Sequence, residues 1–332
     1  MKIFSKAICM SALAFLALTA CNKEKDNSVA IAWPDMAVEN ENGNERAYID
    51  LTSNQGYYEA GDQLIFFNID ENAPGNSKYA MYTASSTGSN VPFNKTAGEL
   101  GDCIDGFYGF YPGQVVNTDM LTVNNKATFP VASSQQYRTV NGVPAIPEGA
   151  LYQCVKITGK NTLNGLGITT LNICGLLRLK LSSSVAGKQV SKITLHDDLV
   201  NLSGNVTVTI PKVNDSELNS WFYTTAGGYN PENSAYMEAF GRYLSGIGYS
   251  MEDGSHDLEL LFDKEDSPIL STDANNPTVF LMVVRPGGLQ PNHNTVTVEF
   301  KDGTKCTTSC GNQIKPNKIM NMSRTMSDFQ PL

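Results

Sequence analysis

Nearly everywhere that this chain shows a hydrophobic period downstream of Ala47, the period is two. Leu177-Arg178-Leu179-Lys180-Leu181, Val206-Thr207-Val208-Thr209-Ile210 and Thr295-Val296-Thr297-Val298-Glu299-Phe300 alternate residue by residue. Successive side chains of a strand point to opposite faces, so each run reads as a strand with one face buried and one wetted. Gln63 to Ile69 and Thr278 to Val284 are denser apolar runs, which fits strands covered on both faces. Clusters of Gly, Asn, Pro and Asp punctuate the runs, at Asn72 to Asn76, Thr272 to Pro277 and Pro286 to Gly288. Short strands with recurrent turns predict an all-β chain of sandwich type rather than an alternating α/β layout. Glu232 to Leu244 alone has helical character, and one short helix or an irregular insertion is expected there.

The first residues follow a different logic. Lys2 and Lys6 supply a positive end, Ala7 to Ala20 form a largely apolar run of 14, and a small residue precedes Cys21. A bilayer-spanning helix needs roughly 20 apolar residues, so residues 1–20 read as a leader to be removed. Leu18-Thr19-Ala20-Cys21 resembles a bacterial lipobox, whose cysteine is acylated and becomes the mature N-terminus. Each buried CH2 of an acyl chain contributes on the order of 0.8 kcal/mol, so two or three chains anchor firmly. Residues 21–27 then form a charged tether.

Removing the leader leaves 312 of 332 residues, a length for two domains of ordinary size or one large β domain. The best boundary lies just before Gly175, where the glycine-rich Leu163 to Ile168 gives way to the alternating run that Gly175 opens. An N-terminal sandwich at 28–173 and a C-terminal one at 174–332 are expected, each large enough for one core.

Charge and cysteine usage narrow the function. The chain carries −9, and −11 without Lys2 and Lys6, which argues against nucleic acid and against electrostatic docking to anionic lipid. Beyond the leader and Cys21 five cysteines remain, Cys103, Cys154, Cys174, Cys306 and Cys310. An odd number cannot all pair, and buried, reduced thiols are the simplest account.

Catalytic signatures are missing. His196-Asp197-Asp198 can be drawn as a metal or acid–base cluster, but it follows a strand and reads better as a solvated strand end. Asp102 and Asp105, and Asp263, Glu265 and Asp266, are carboxylate groups for which a loop cation is the alternative to plain solvation. There is no GxSxG, Walker A, dinucleotide fingerprint, HExxH or EF-hand loop. No enzyme, no cofactor and no metal are therefore expected. Phe107-Tyr108-Gly109-Phe110-Tyr111-Pro112 reads as core followed by a turn, its alternative being a sugar-stacking platform.

Several segments, in order, resemble the fimbrillin family of Bacteroidetes, the Mfa-like subunits of type V pili and their surface lipoprotein relatives. They are Gly56 to Phe67, Phe107 to Gly113, Gly175 to Ser184, Ser191 to Asp198, Leu202 to Val208, Phe280 to Gly288 and Lys315 to Ser323. The resemblance implies two transthyretin-like Greek-key sandwiches and a surface-exposed outer-membrane lipoprotein that enters a fimbrium after processing. It also implies an extracellular trypsin-like protease that cuts after an early arginine. Removing the first strand then opens a groove for a strand of the next subunit, a β-augmentation.

Carried onto this sequence, Arg46-Ala47 is the scissile bond. Ser28 to Val38 is the removable first strand, with Ile31, Trp33 and Met36 as plug residues and Pro34 suiting an edge position. Lys318 to Leu332 is the candidate donor, with Met320, Met322 and Met326 at period two and Arg324 interrupting their face. Expected partners are other fimbrial subunits, the outer membrane through lipid, the protease, and a host or bacterial surface ligand. The competing function is an unpolymerised surface glycan-binding lipoprotein using Phe107 to Tyr111 or loops around Trp221. Mass spectrometry of the membrane-bound, uncut protein is expected to find acylated Cys21 at its N-terminus, and Cys21→Ser to abolish labelling by palmitate.

Overall fold

The computed structural model describes residues 28–32, 37–40, 47–48, 58–68, 79–101, 107–113, 126–140, 142–147, 149–157, 163–209, 248–263 and 267–332. Its elements are all strands. The first eight are β1 (Ser28–Ala32), β2 (Ala37–Asn40), β3 (Ala47–Tyr48), β4 (Gln63–Asn68), β5 (Tyr79–Ala84), β6 (Asn90–Glu99), β7 (Phe107–Tyr111) and β8 (Lys126–Val131). Next come β9 (Ser134–Gln136), β10 (Arg138–Val140), β11 (Val143–Ala145), β12 (Gln153–Ile157), β13 (Gly167–Thr169), β14 (Leu171–Asn172), β15 (Gly175–Ser183) and β16 (Val190–Asp197). The last are β17 (Ser203–Thr209), β18 (Gly248–Ser255), β19 (Asp257–Leu261), β20 (Thr278–Val284), β21 (Asn294–Phe300), β22 (Thr304–Thr308), β23 (Lys318–Met326) and β24 (Gln330–Pro331). Glu232 to Leu244 lies outside the described residues.

Two cores organise these strands. The first lies between an eight-stranded sheet, ordered β13-β1-β6-β5-β4-β7-β12-β14, and a three-stranded sheet, β18-β17-β8. Aromatic rings bridge them: the Phe110 and Phe129 centroids are 5.7 Å apart and those of Phe129 and Tyr152 are 4.9 Å apart. The second core lies between a five-stranded sheet, β20-β15-β23-β2-β3, and a six-stranded one, β24-β22-β21-β16-β19-β9.

The alternation read from the sequence has a direct outcome. Leu177, Leu179 and Leu181 enter the second core, while Arg178 and Lys180 between them are only half-buried. Val206 and Val208 enter the first core, and Val296, Val298 and Phe300 the second. The denser run of β20 has a physical reason as well. Leu281 and Val283 belong to the first core and Phe280, Met282 and Val284 to the second, so this strand is covered on both faces.

Chain order does not sort strands cleanly between the cores. β8 pairs antiparallel with β17, and β9 runs parallel to β19 in the six-stranded sheet. The buried Gln135 carboxamide accepts from Val283 N at 2.9 Å and donates to Val283 O at 2.6 Å, closing the outer edge of β20. Near residue 174 two backbones approach closely: a Cβ on Gly175 would sit 2.4 Å from Lys315 O, which explains a glycine there. Asn317, in the left-handed region at φ 52°, accepts from Asn172 N at 3.2 Å and Nδ2 at 3.1 Å, fixing the entry to β23.

Ile31 is fully buried in β1, whereas Ala30 beside it is exposed. Ile31→Ala is expected to destabilise the uncut protein by about 2–5 kcal/mol in denaturant titration. Ala30→Ser should stay within about 0.5 kcal/mol.

Candidate functional site

The first strand is expected as one edge run from Ser28 to Val38; the structure makes it two strands in two different sheets. β1 lies inside the eight-stranded sheet, antiparallel to β6 from Ser28↔Asn94 to Ala32↔Asn90 and parallel to β13 from Ala30↔Gly167 to Ala32↔Thr169. It is therefore not an edge strand. Pro34 falls in residues 33–36 of the sequence. Those residues, with Trp33 and Met36, lie outside the described set.

Period two decides what β1 fills. Val29 and Ile31 are both fully buried in the first core. Their cross-strand partners on β6, Phe93 and Val91, are buried beside them. Outside the ladder proper, Ala30 N donates to Leu166 O at 2.9 Å and Gly165 N donates to Ser28 O at 3.0 Å. β1 is thus held by backbone bonds on both sides and by two apolar anchors.

β2 occupies a second slot. It runs parallel to β23 from Ala37↔Lys318 to Asn40↔Asn321, and antiparallel to β3 at Ala37↔Tyr48 and Val38↔Ala47. Ala47 is the first residue of β3; Arg46, like Cys21, lies outside the described residues. A cut between Arg46 and Ala47 would therefore separate β1 and β2 from all later strands.

The candidate donor is already seated. β23 lies between β15, parallel from Leu176↔Ile319 to Ser183↔Met326, and β2. Met320, Met322 and Met326 are buried in the second core, and Arg324 turns instead to Ser309 O at 2.9 Å and Thr308 Oγ1 at 3.3 Å. Withdrawing β23 would strip the centre of that core. The tail beyond it folds back: Leu332 N donates to Gly303 O at 3.0 Å, and Lys188 Nζ sits 4.1 Å above the Phe329 ring.

The residues that invited a chemical reading take structural places. Phe107, Tyr108 and Phe110 are at most 1% exposed. A sugar cannot stack on rings inside the core, so Phe107, Tyr108 and Phe110 offer no such platform, whereas Tyr111 at the end of the run is half-buried. Gly109 lies within it because a Cβ would meet the Phe66 ring at 2.6 Å and Val155 Cγ1 at 2.7 Å. Trp221 lies outside the described residues, as do Asp102, Asp105, Glu265 and Asp266. Cys154, Cys174, Cys306 and Cys310 are reduced and buried. Burial pushes the Cys154 and Cys174 thiols up to about 12, which leaves no thiolate to react at neutral pH. Cys103 lies outside the described residues.

His196 and its neighbours form a loop clasp at one end of the second sandwich. The Asp197 carboxylate is buried and accepts from Leu199 N at 2.9 Å, Val200 N at 3.1 Å and Gln290 N at 2.6 Å. The His196 ring nitrogens face Asp257 Oδ1 at 2.7 Å and Asp198 Oδ1 at 3.2 Å. Carboxylates only accept, so the doubly protonated ring suits both contacts. No group of three His, Cys, Asp or Glu side chains among the described residues is placed to hold a metal ion.

Three features escaped the sequence reading: the Asn172–Asn317 pair, the Gln135 edge clamp, and a fully buried triangle in which Tyr58 and Thr170 hydroxyls meet Gln153 Oε1 at 2.6 and 2.8 Å. Each joins residues at least 17 positions apart through polar side chains, for which hydrophobic periodicity carries no signal.

The Asp257 hydrogen bond raises the His196 pKa above its usual 6.5. Its pairing therefore stabilises the fold fully below about pH 6.5 and fades as pH rises through the raised value. Thermal midpoints measured from pH 5 to 9 should fall more over that window for the native protein than for His196→Asn.

No protein-family profile matches this chain, and no curated protein matches it in sequence. Among solved structures, the chain is similar to a Bacteroides uniformis protein provisionally assigned to cell adhesion, at 12% identity and TM-score 0.47, covering 89% of this chain and 94% of that one. A Bacteroides ovatus fimbrial protein aligns at 10% identity and TM-score 0.38 over 91% of this chain, which spans half of that longer protein. The tip fimbrial protein Mfa3 of Porphyromonas gingivalis aligns at 9% identity and TM-score 0.31, covering 85% of this chain and 81% of that one.

Proposed function

We propose that this chain is the lipid-anchored precursor of a fimbrial structural or adhesive subunit, without catalysis, whose first strands are removed by a cut after Arg46 so that a strand of the next subunit takes their place. The observation that carries this reading is the position of β1: buried within a sheet, yet connected to the rest of the fold only through β2 and the segment that ends at Arg46. Loss of β1 would unpair Asn90 to Asn94 on one side and Gly167 to Thr169 on the other. It would also open an apolar trench over Val91 and Phe93. Unpaired ladders beside apolar surface recruit another extended chain, which supplies both hydrogen bonds and side chains.

The donated strand must place apolar residues two apart, where Val29 and Ile31 stood, and continue alongside Lys318 to Asn321. Because Met320, Met322 and Met326 belong to the subunit's own core, this chain would donate them only if that core opened. The folded-back tail from Ser327 to Leu332 is the less costly part of the C-terminal run to release. In this reading Cys21 holds the precursor in the outer membrane until assembly, and the partners are other subunits and an extracellular trypsin-like protease.

Limited trypsin digestion followed by N-terminal sequencing tests the reading. The expected result is a new N-terminus at Ala47 together with denaturant-resistant oligomer ladders, both absent from Arg46→Ala. A digest that cuts at Arg46 and leaves monomers would overturn the shaft-subunit role.

A further inference from the structure

Arg178 and Lys180 stand two residues apart on the face of β15 that turns away from the second core. In register across the sheet, Arg178 lies between Leu281 and Asn321, and Lys180 between Val279 and Ser323. The face grades along β15 from apolar to polar. Leu176, Val283 and Ile319 form a row packed on the first core, and the next rows bring Arg178 and then Lys180. Beside Lys180 and one row beyond it, Ser323 and Thr325 are exposed.

Half-buried cations such as Arg178 and Lys180 normally have a charged partner. Among the described residues neither makes a salt bridge, and Arg178 Nη2 is buried with no hydrogen-bond partner. Burial lowers the pKa of both, and Arg178 lowers that of Lys180 further by repulsion. Two like charges held side by side against desolvation cost stability, in a chain that carries 33 acidic side chains against 24 basic ones. Something bound there that brings negative charge would offset that cost.

The sheet indicates where that something lies. β2 pairs with β23 only from Lys318 to Asn321, and among the described residues no strand is paired with β23 on that side beyond Asn321. A strand continuing in this lane would pass Ser323 and Thr325, about 10 Å across the sheet from β15. That span is within the combined reach of a Glu or Asp side chain and an Arg or Lys side chain. We propose that Arg178 and Lys180 receive the carboxylate of an acidic residue on a strand that a second copy of this chain lays beside β23. The proposal rests on the strand-exchange reading and adds to it a charge selection. A second copy, being acidic, brings the matching sign, and an extended strand sets the carboxylate at a fixed register.

Sedimentation of the trypsin-cut full chain at 50 and 300 mM salt, for the native protein and for Arg178→Gln/Lys180→Gln, tests the proposal. The double variant should self-associate about tenfold more weakly at low salt and lose most of the salt dependence. Its uncut monomer should melt at the native temperature or above, because a repulsion has been relieved. Equal association of both proteins would overturn the proposal while leaving strand exchange standing. A native protein that is cut and never associates would overturn the strand-exchange reading itself. A lowered melting temperature of the uncut variant would make the pair structural and overturn the proposal. Unchanged association with lost retention on a heparin column would assign the pair to an acidic glycan and overturn it equally.

Discussion

Alternate residues of β20 point into different cores, Phe280, Met282 and Val284 into one and Leu281 and Val283 into the other, and the rest of the molecule is arranged around that sharing. A strand buried on both faces needs apolar side chains at every position, and burying each contributes about 1.5–3 kcal/mol. Leu176 of β15 and Ile319 of β23 extend the shared surface across three adjacent strands. The sheet therefore serves as a wall common to two sandwiches rather than as the boundary of one. Its polar margin begins at Arg178 of β15, while Leu281 and Val279 on β20 still pack on the first core.

This common wall explains why so short an N-terminal segment can matter to the whole. β1 contributes two anchors to the first core, and β2 is added to the lane of β23 in the wall itself. Most of the holding is backbone pairing, which any extended sequence can supply, so the slot is selective mainly through the pockets of Val29 and Ile31. A segment retained by pairing on both sides leaves slowly even after its covalent link is cut. In the proposed exchange an incoming strand would therefore displace it from one end.

How much of this was legible follows from what each signal encodes. Periodicity placed Leu177, Leu179, Leu181, Val206, Val208, Val296 and Val298 on buried faces because burial of alternate residues is what produces that pattern. The both-face burial of β20 was legible from its density. What the pattern could not encode is pairing: that Ser28 to Val38 breaks into strands of two sheets, or that β8 and β9 leave the sheet of their sequence neighbours. Asn317 and Gln135 act through single polar contacts over 145 and 148 residues, which only the folded chain brings together.

The two slots that the proposed cut after Arg46 would vacate are not energetically independent. The trench of β1 opens onto the first core, and that core is closed in part by Leu281, Val283 and Ile319 of the common wall. The lane of β2 borders the same Ile319. An incoming strand that filled only the β1 trench would leave β23 exposed at Lys318 to Asn321. One that paired only with β23 would leave Val91 and Phe93 in water. Because both losses fall on side chains packed around one sheet, filling either slot steadies the surface the other requires, and a single continuous strand gains more than two separate ones.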